Sequence, residues 1–215
     1  MKIKICGLFR EQDIDYVNEA RPDYAGFVFA QSKRQVSPAF AAELRRRLSE
    51  EIIPVGVFVN APVADIAALY SDNVISIAQL HGTEDEEYIT RLKEASASGR
   101  KKPIEVIKTM QINKESLPLS SPLPSFADYY LIDSGAGSGK AFNWELLQSK
   151  GMNALKGEKP WFLAGGISLE NIEQALCFNP YALDVSSGVE TDGLKDPKKI
   201  VHLVSLVRGY AKEKI

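Results

Sequence analysis

Histidine is nearly absent from this chain, with only His81 and His202 among 215 residues. With so few imidazoles, and no cluster of cysteines or carboxylates at ligand spacing, the sequence offers no ligand set for a transition metal. Cysteine is equally scarce. Cys6 and Cys177 stand far apart, one in a strand pattern and one in a helical pattern. That separation suits neither zinc nor a redox pair and makes a reducing cytoplasm the default compartment. No apolar run approaches the length of a membrane span, and the N-terminus has no extended apolar segment of the secretory kind. An excess of either charge is missing too: 26 Lys and Arg against 28 Asp and Glu leave a net −2. Such a surface has no electrostatic footprint for nucleic acid or an anionic membrane. The expected partner is a small molecule.

What is present is an ordinary globular composition, 45% hydrophobic and 25% charged, in a chain long enough to bury roughly 70% of its unfolded surface without staples. The first stretch, Lys2-Ile3-Lys4-Ile5-Cys6-Gly7, alternates with the period of a β-strand. Ile3 and Ile5 share one face, and Lys4 and Cys6 the other. Further strands are expected over 24–29, 52–59, 74–80, 103–108, 129–133, 161–164 and 183–186. Helices are expected over 10–20, from Ser37-Pro38 to about 49, after Pro62, over 84–96 with Thr83 as cap, over 142–149 and 168–178, and from Asp196-Pro197 to about 209. Pro118, Pro122 and Pro124 leave the fifth helix short or degenerate. Eight strict βα units argue for a parallel sheet closed into a single (β/α)8 TIM barrel spanning residues 1–215. An open doubly wound sheet would leave its edges unaccounted for.

In such a barrel the carboxyl ends of the strands converge on one mouth. Those ends carry Cys6-Gly7, the Arg34 loop, Asn60, Gln79 with His81, Lys108, Asp133, Gly165-Gly166, and Asp184 with Ser186-Ser187-Gly188. Taken alone, Cys6 reads either as a small buried hydrophobe or as a site residue. If it points inward, so does Lys4 one layer deeper. A buried lysine needs a partner, and Asp184 on the neighbouring eighth strand is expected to supply it. Gly165-Gly166 and the segment from Ser186 to Glu190, with a short extra helix, match the usual phosphate site after strands seven and eight. They also read as tight βα turns. The run Gly137-Ser138-Gly139-Lys140 fails the P-loop pattern, since Ala141 stands where that motif needs Ser or Thr. It reads better as a cover over the mouth, with Gly139 in reach of a phosphate. His81 is a candidate substrate contact or a hydrogen-bonded structural residue, and His202 is expected at the surface. Arg34 reads as a solvated loop charge or as a fork for a carboxylate or phosphate.

The segments KICG, SKR, QLHG and DVSSGVE, together with LIDS, GSGKAFNW and LAGGI, run in the order found in phosphoribosylanthranilate isomerases of tryptophan biosynthesis, and the chain resembles that family from first strand to last helix. The resemblance implies an Amadori rearrangement, an aldose–ketose isomerisation without metal or cofactor, by a cytoplasmic monomer or homodimer. It implies Cys6 as general base, Asp133 as general acid and Arg34 as anchor for the anthranilate carboxylate. Gln79, His81 and Asp184 become substrate contacts, and Gly139, Gly165, Gly166, Ser186, Ser187 and Gly188 the phosphate site. Each catalytic group needs a setting that holds its working form: a cation or backbone donor for the thiolate, apolar walls for the neutral acid. Phe9 and Asn143 depart from the family pattern, which more often has a hydroxyl residue and an aspartate there. The alternatives are another sugar-phosphate barrel acting on a related aminoaldose, or a barrel that only binds a phosphorylated ligand. Mere binding would not require the pair Cys6 and Asp133.

Overall fold

The computed structural model describes residues 1–97, 102–111, 126–133 and 159–213. Eight parallel strands close in sequence order: β1 (Lys2–Cys6), β2 (Tyr24–Val28), β3 (Ile53–Phe58), β4 (Ile77–Leu80), β5 (Glu105–Gln111), β6 (Tyr129–Asp133), β7 (Trp161–Ala164) and β8 (Ala182–Val185). The closing pair is β1 with β8, which sets Lys4 opposite Asp184. The described helices are α1 (Glu11–Ala20), α2 (Pro38–Arg47), α3 (Val63–Ser71), α4 (Glu86–Ala97), α5 (Ile172–Cys177) and α6 (Pro197–Glu213). The expected barrel is therefore present. The helix expected over 142–149, the shortened fifth helix and Gly139 all lie outside the described residues.

Strand alternation sorts the apolar residues into two cores. Outward-facing Ile3, Ile5, Phe27, Ala78, Leu80 and Val185 pack beneath the helices. Inward-facing Tyr24, Val55, Ile77, Ile107, Leu131 and Phe162 fill the lower barrel. Tyr24 tilts against Phe162 and Tyr129 meets it edge-on, at ring separations of 5.4 and 5.8 Å. This apolar plug closes the barrel from below, so polar inward residues accumulate above it.

Local signals account for most helix starts. Ser37 accepts the Phe40 amide and Pro38 takes the first helical position, as its fixed φ favours. In α4 the cap is Asp85, whose carboxylate accepts the Tyr88 amide at 2.8 Å, and not Thr83. Thr83 instead bonds to Asn60, while Glu84 turns inward beneath the β3–β5 ends. The helix after β7 is also shorter than its pattern: residues 169–171 form turns, and only six residues are α-helical.

One element was not expected. After a 3₁₀ turn at Ser187–Val189, a two-stranded antiparallel ribbon forms from β9 (Glu190–Thr191) and β10 (Leu194–Lys195). Asp192 and Gly193 join them with φ of 53° and 78°, the positive values that an Asp-Gly hairpin turn supplies. The turn brings Glu190 and Lys195 into register.

Candidate active site

A cavity of about 450 Å³ opens at the carboxyl ends of the strands. It brings together Cys6, Arg34, Gln79, His81, Asp133, Gly165, Gly166, Asp184, Ser186 and Ser187. Gly188 stands one residue beyond this wall. Lys108 does not join them. It faces outward from β5 and donates to Glu84 at 2.7 Å and to the Gly82 carbonyl at 2.8 Å. Asn60 is likewise held by Thr83 and Glu84, in a loop-bracing role.

Cys6 ends β1 with its side chain buried on the inner face. Burial pushes its thiol up from the ordinary value, and the Lys4 ammonium only partly offsets that. The expected cation is there, but it does not hold this thiol low, because desolvation outweighs it. Lys4, fully buried, donates to both oxygens of Asp184 at 2.9 Å, as the strand pattern predicted. Burial opposes its charge, yet Asp184 and, less strongly, Cys6 together more than compensate and raise the ammonium's pKa. The Asp184 carboxylate is therefore committed to Lys4 as well as facing the cavity.

Asp133 ends β6, and its Oδ2 lies 3.3 Å from His81 Nε2. His81 follows β4 directly, with its amide held by the Phe58 carbonyl. The imidazole is close enough to pass a proton to the carboxyl group. Gln79, two residues earlier on the same inward face, is 2% exposed, and its enclosed Oε1 has no hydrogen-bond partner among the described residues. Leaving such an acceptor unpaired costs about 1–3 kcal/mol, and it belongs to a residue that lines the cavity.

Arg34 is not a free fork. Its Nε and Nη2 donate to Glu190 Oε1 and Oε2 at 2.7 and 2.6 Å. This bidentate pair spends one edge of the guanidinium and leaves the Nη1 side for an incoming anion. Lys195, its side chain fully buried, donates to Glu190 at 2.6 Å and to the Ser186 carbonyl at 2.9 Å. Burial pushes Glu190 upward, but Arg34 and Lys195 hold its carboxyl below the ordinary value. Burial lowers Lys195. Neither Glu190 nor Lys195 was singled out from the sequence. The signal was available in Asp192-Gly193, which predicts the hairpin that pairs them.

The loops after β7 and β8 are pressed together. Gly165 and Gly166 take φ of 95° and 66°, a left-handed pair that exposes backbone amides without side-chain hindrance. A Cβ on Gly188 would collide with the Ile167 carbonyl, so only glycine fits that crossing. Ser186 Oγ donates to the Cys6 carbonyl at 3.1 Å and ties the β8 loop to the end of β1. The hydroxyl is occupied there, and Ser187 presents the exposed one.

A closed eight-stranded barrel whose mouth combines a thiol, a carboxyl–imidazole pair and a held guanidinium defines the class of (β/α)8-barrel enzymes. Residues 3–205 match the family model for N-(5'phosphoribosyl)anthranilate (PRA) isomerase. The chain belongs to that family. A relative from Endomicrobium trichonymphae, N-(5'-phosphoribosyl)anthranilate isomerase, is 44% identical over 97% of this chain and 98% of its own length. The crystal structure of the phosphoribosyl anthranilate isomerase from Thermus thermophilus superposes with a TM-score of 0.80 at 31% identity, covering 97% of this chain and 99% of that one. A phosphoribosyl anthranilate isomerase in complex with reduced 1-(o-carboxyphenylamino)-1-deoxyribulose 5-phosphate superposes with a TM-score of 0.77 at 29% identity, covering the same shares. Among the described residues, no helix is long and apolar enough to cross a membrane.

Proposed function

We propose that the protein converts N-(5-phosphoribosyl)anthranilate to 1-(2-carboxyphenylamino)-1-deoxyribulose 5-phosphate in tryptophan biosynthesis, with Cys6 as general base and Asp133 as general acid. The observation that carries the reading is the placement of these two groups on β1 and β6, at opposite parts of one cavity that the β7 and β8 loops also line.

The chemistry needs both. The hydrogen on C2′ of the closed ribose is too weakly acidic for any side chain to remove. Asp133, protonated, gives its proton to the ring oxygen; the C1′–O bond breaks and the nitrogen lone pair forms a Schiff base at C1′. The cationic C=N then acidifies C2′, and the Cys6 thiolate takes that proton. The electron pair moves to give an enolamine, which tautomerises to the ketone. His81, 3.3 Å from Asp133, resupplies its proton in this reading, and Gln79, which lines the cavity, contacts the sugar. The free side of Arg34 receives the anthranilate carboxylate. The amides around Gly165 and Gly166, with those of Ser186, Ser187 and Gly188, hold the phosphate. No step calls on a metal or cofactor. The expected setting is the cytoplasm, as a monomer or homodimer.

The test is to add phosphoribosylanthranilate and follow the decay of its fluorescence, with Cys6→Ser as control. Rapid decay with wild type and a loss of at least about two decades in the variant is the expected result. Stable fluorescence with folded wild-type protein would sink the assignment.

A further inference from the structure

Five charged side chains surround the Cys6 thiol from below and beside it. Lys4 comes from the same strand, two residues earlier, and Asp184 from β8. Glu190 and Lys195 come from the β9–β10 ribbon, and Arg34 from the loop after β2. Asp133 and His81 face the thiol from across the mouth as a pair of their own. Among the five, three cations stand against two carboxylates. With a neutral thiol the cluster keeps one uncompensated positive charge; a thiolate cancels it. An unbalanced charge in a water-poor site is costly, so the excess cation favours the thiolate against the burial that pushes the thiol up.

Lys4 is the cation best placed to act. Its side chain has no exposure, it rises from the inward position beneath Cys6, and its charge favours the thiolate more than that of any other neighbour. Lys195 acts by charge alone, and Asp184 opposes ionisation. Arg34 and Lys195 share Glu190. A lysine whose only task was to neutralise Asp184 could be replaced, with that aspartate, by an apolar pair.

We propose that Lys4 is a positioning residue that acts through Cys6: its buried ammonium, held by Asp184 one layer beneath the thiol on the same inward face, supplies the charge that offsets part of the cost of ionising the base. The idea rests on the reading of Cys6 as the base, yet it is testable on the free protein.

The experiment uses the full chain in a Cys177→Ser background, because Cys177 is exposed and would titrate as well. Thiolate ultraviolet absorbance and the rate of alkylation by iodoacetamide are followed against pH. Lys4→Met should raise the Cys6 midpoint by about one pH unit or more, and the acid limb of kcat/KM should move with it. Asp184→Asn should move the midpoint the other way, and Lys4→Arg should keep it near the parent value. A purely structural lysine would leave the midpoint unmoved in any folded variant. If Lys4→Met does not fold, Lys4→Met/Asp184→Asn removes both buried charges and takes its place; its midpoint should still lie above that of Asp184→Asn alone. An unmoved midpoint in Lys4→Met, or equal midpoints in the latter pair, overturns the proposal. Should the parent protein fail to turn over phosphoribosylanthranilate, the isomerase assignment falls, while the thiol midpoint still decides the role of Lys4.

Discussion

Glu190 and Lys195 face each other across a two-residue turn, with Lys195 Nζ 2.6 Å from Glu190 Oε1 and Arg34 clasping the same carboxylate from the other side. The carboxylate thereby fixes the guanidinium at the mouth and neutralises a lysine whose side chain is fully buried. Glu190→Gln should loosen both. Loss of one charge-assisted contact at Arg34 should raise KM about tenfold. Leaving Lys195 without its anion should cost about 3 kcal/mol of stability. Steady-state kinetics with a urea melt checks the pair of effects; an unchanged KM would show that Arg34 needs no support.

Arg34 itself should behave differently from the acid and base. The contact proposed for it, with the anthranilate carboxylate, would exist before, during and after the transition state, so removing it would weaken binding uniformly. Arg34→Ala is expected to raise KM and leave kcat within a few fold. A pure turnover defect would count against the anchor role.

Cys6→Ser and Asp133→Asn should each lose about 10²–10⁴-fold in kcat, the usual contribution of a positioned acid or base. Both should still bind the product, because neither removes the anion-binding groups. Near-wild-type turnover in either variant would mean that the wrong group has been named. Single-turnover fluorescence separates binding from chemistry here.

Much of this site was legible from periodicity. Alternation in the first strand aims Ile3 and Ile5 at the helices and Lys4 and Cys6 at the barrel interior, and barrel closure then puts Asp184 beside Lys4. The same rule misplaces Lys108, because it was read as a strand end. The strand continues to Gln111, and Lys108 lies on the outward phase. Asp85 and Thr83 are both acceptable caps, and sequence could not choose between them until Glu84 was seen to be occupied with Lys108. The Glu190–Lys195 contact was hidden for a different reason. It depends on a ribbon of two-residue strands, too short for any periodic signal, and only its Asp-Gly turn announces it.

Gly188→Ala tests whether the two glycine loops are a single built surface. The added methyl would meet the Ile167 carbonyl, which is backbone and cannot swing aside. Overpacking of this kind typically costs about 1–3 kcal/mol. The β7 loop must shift away from the β8 loop, so KM for the phosphorylated substrate should rise along with the loss in melting temperature. Inorganic phosphate should also compete less well than it does with wild type. A stability loss with phosphate competition unaltered would place the anion elsewhere.

The acid limit of stability should be set in part by Glu84, far from the chemistry. Its carboxylate accepts from the Asn60 amide at 2.8 Å, the Gly82 amide at 2.9 Å and Lys108 Nζ at 2.7 Å, joining the ends of β3, β4 and β5. Burial pushes this carboxyl up, but the Lys108 contact and the backbone donors overcome that and hold it below its ordinary value. A carboxyl depressed in the folded state binds fewer protons there than in the unfolded chain near pH 4, so folding gains stability as pH rises. The contribution is complete above the unfolded value of about 4.3 and drains away as pH falls through the folded one. Glu84→Gln cannot titrate. It should be less stable than wild type at pH 7, by about 1–3 kcal/mol for weakened donors and an unpaired Lys108, and the gap should narrow steadily below about pH 4. Urea melts of the two proteins across that range give the slope directly, and parallel curves would assign the acid sensitivity to other carboxylates.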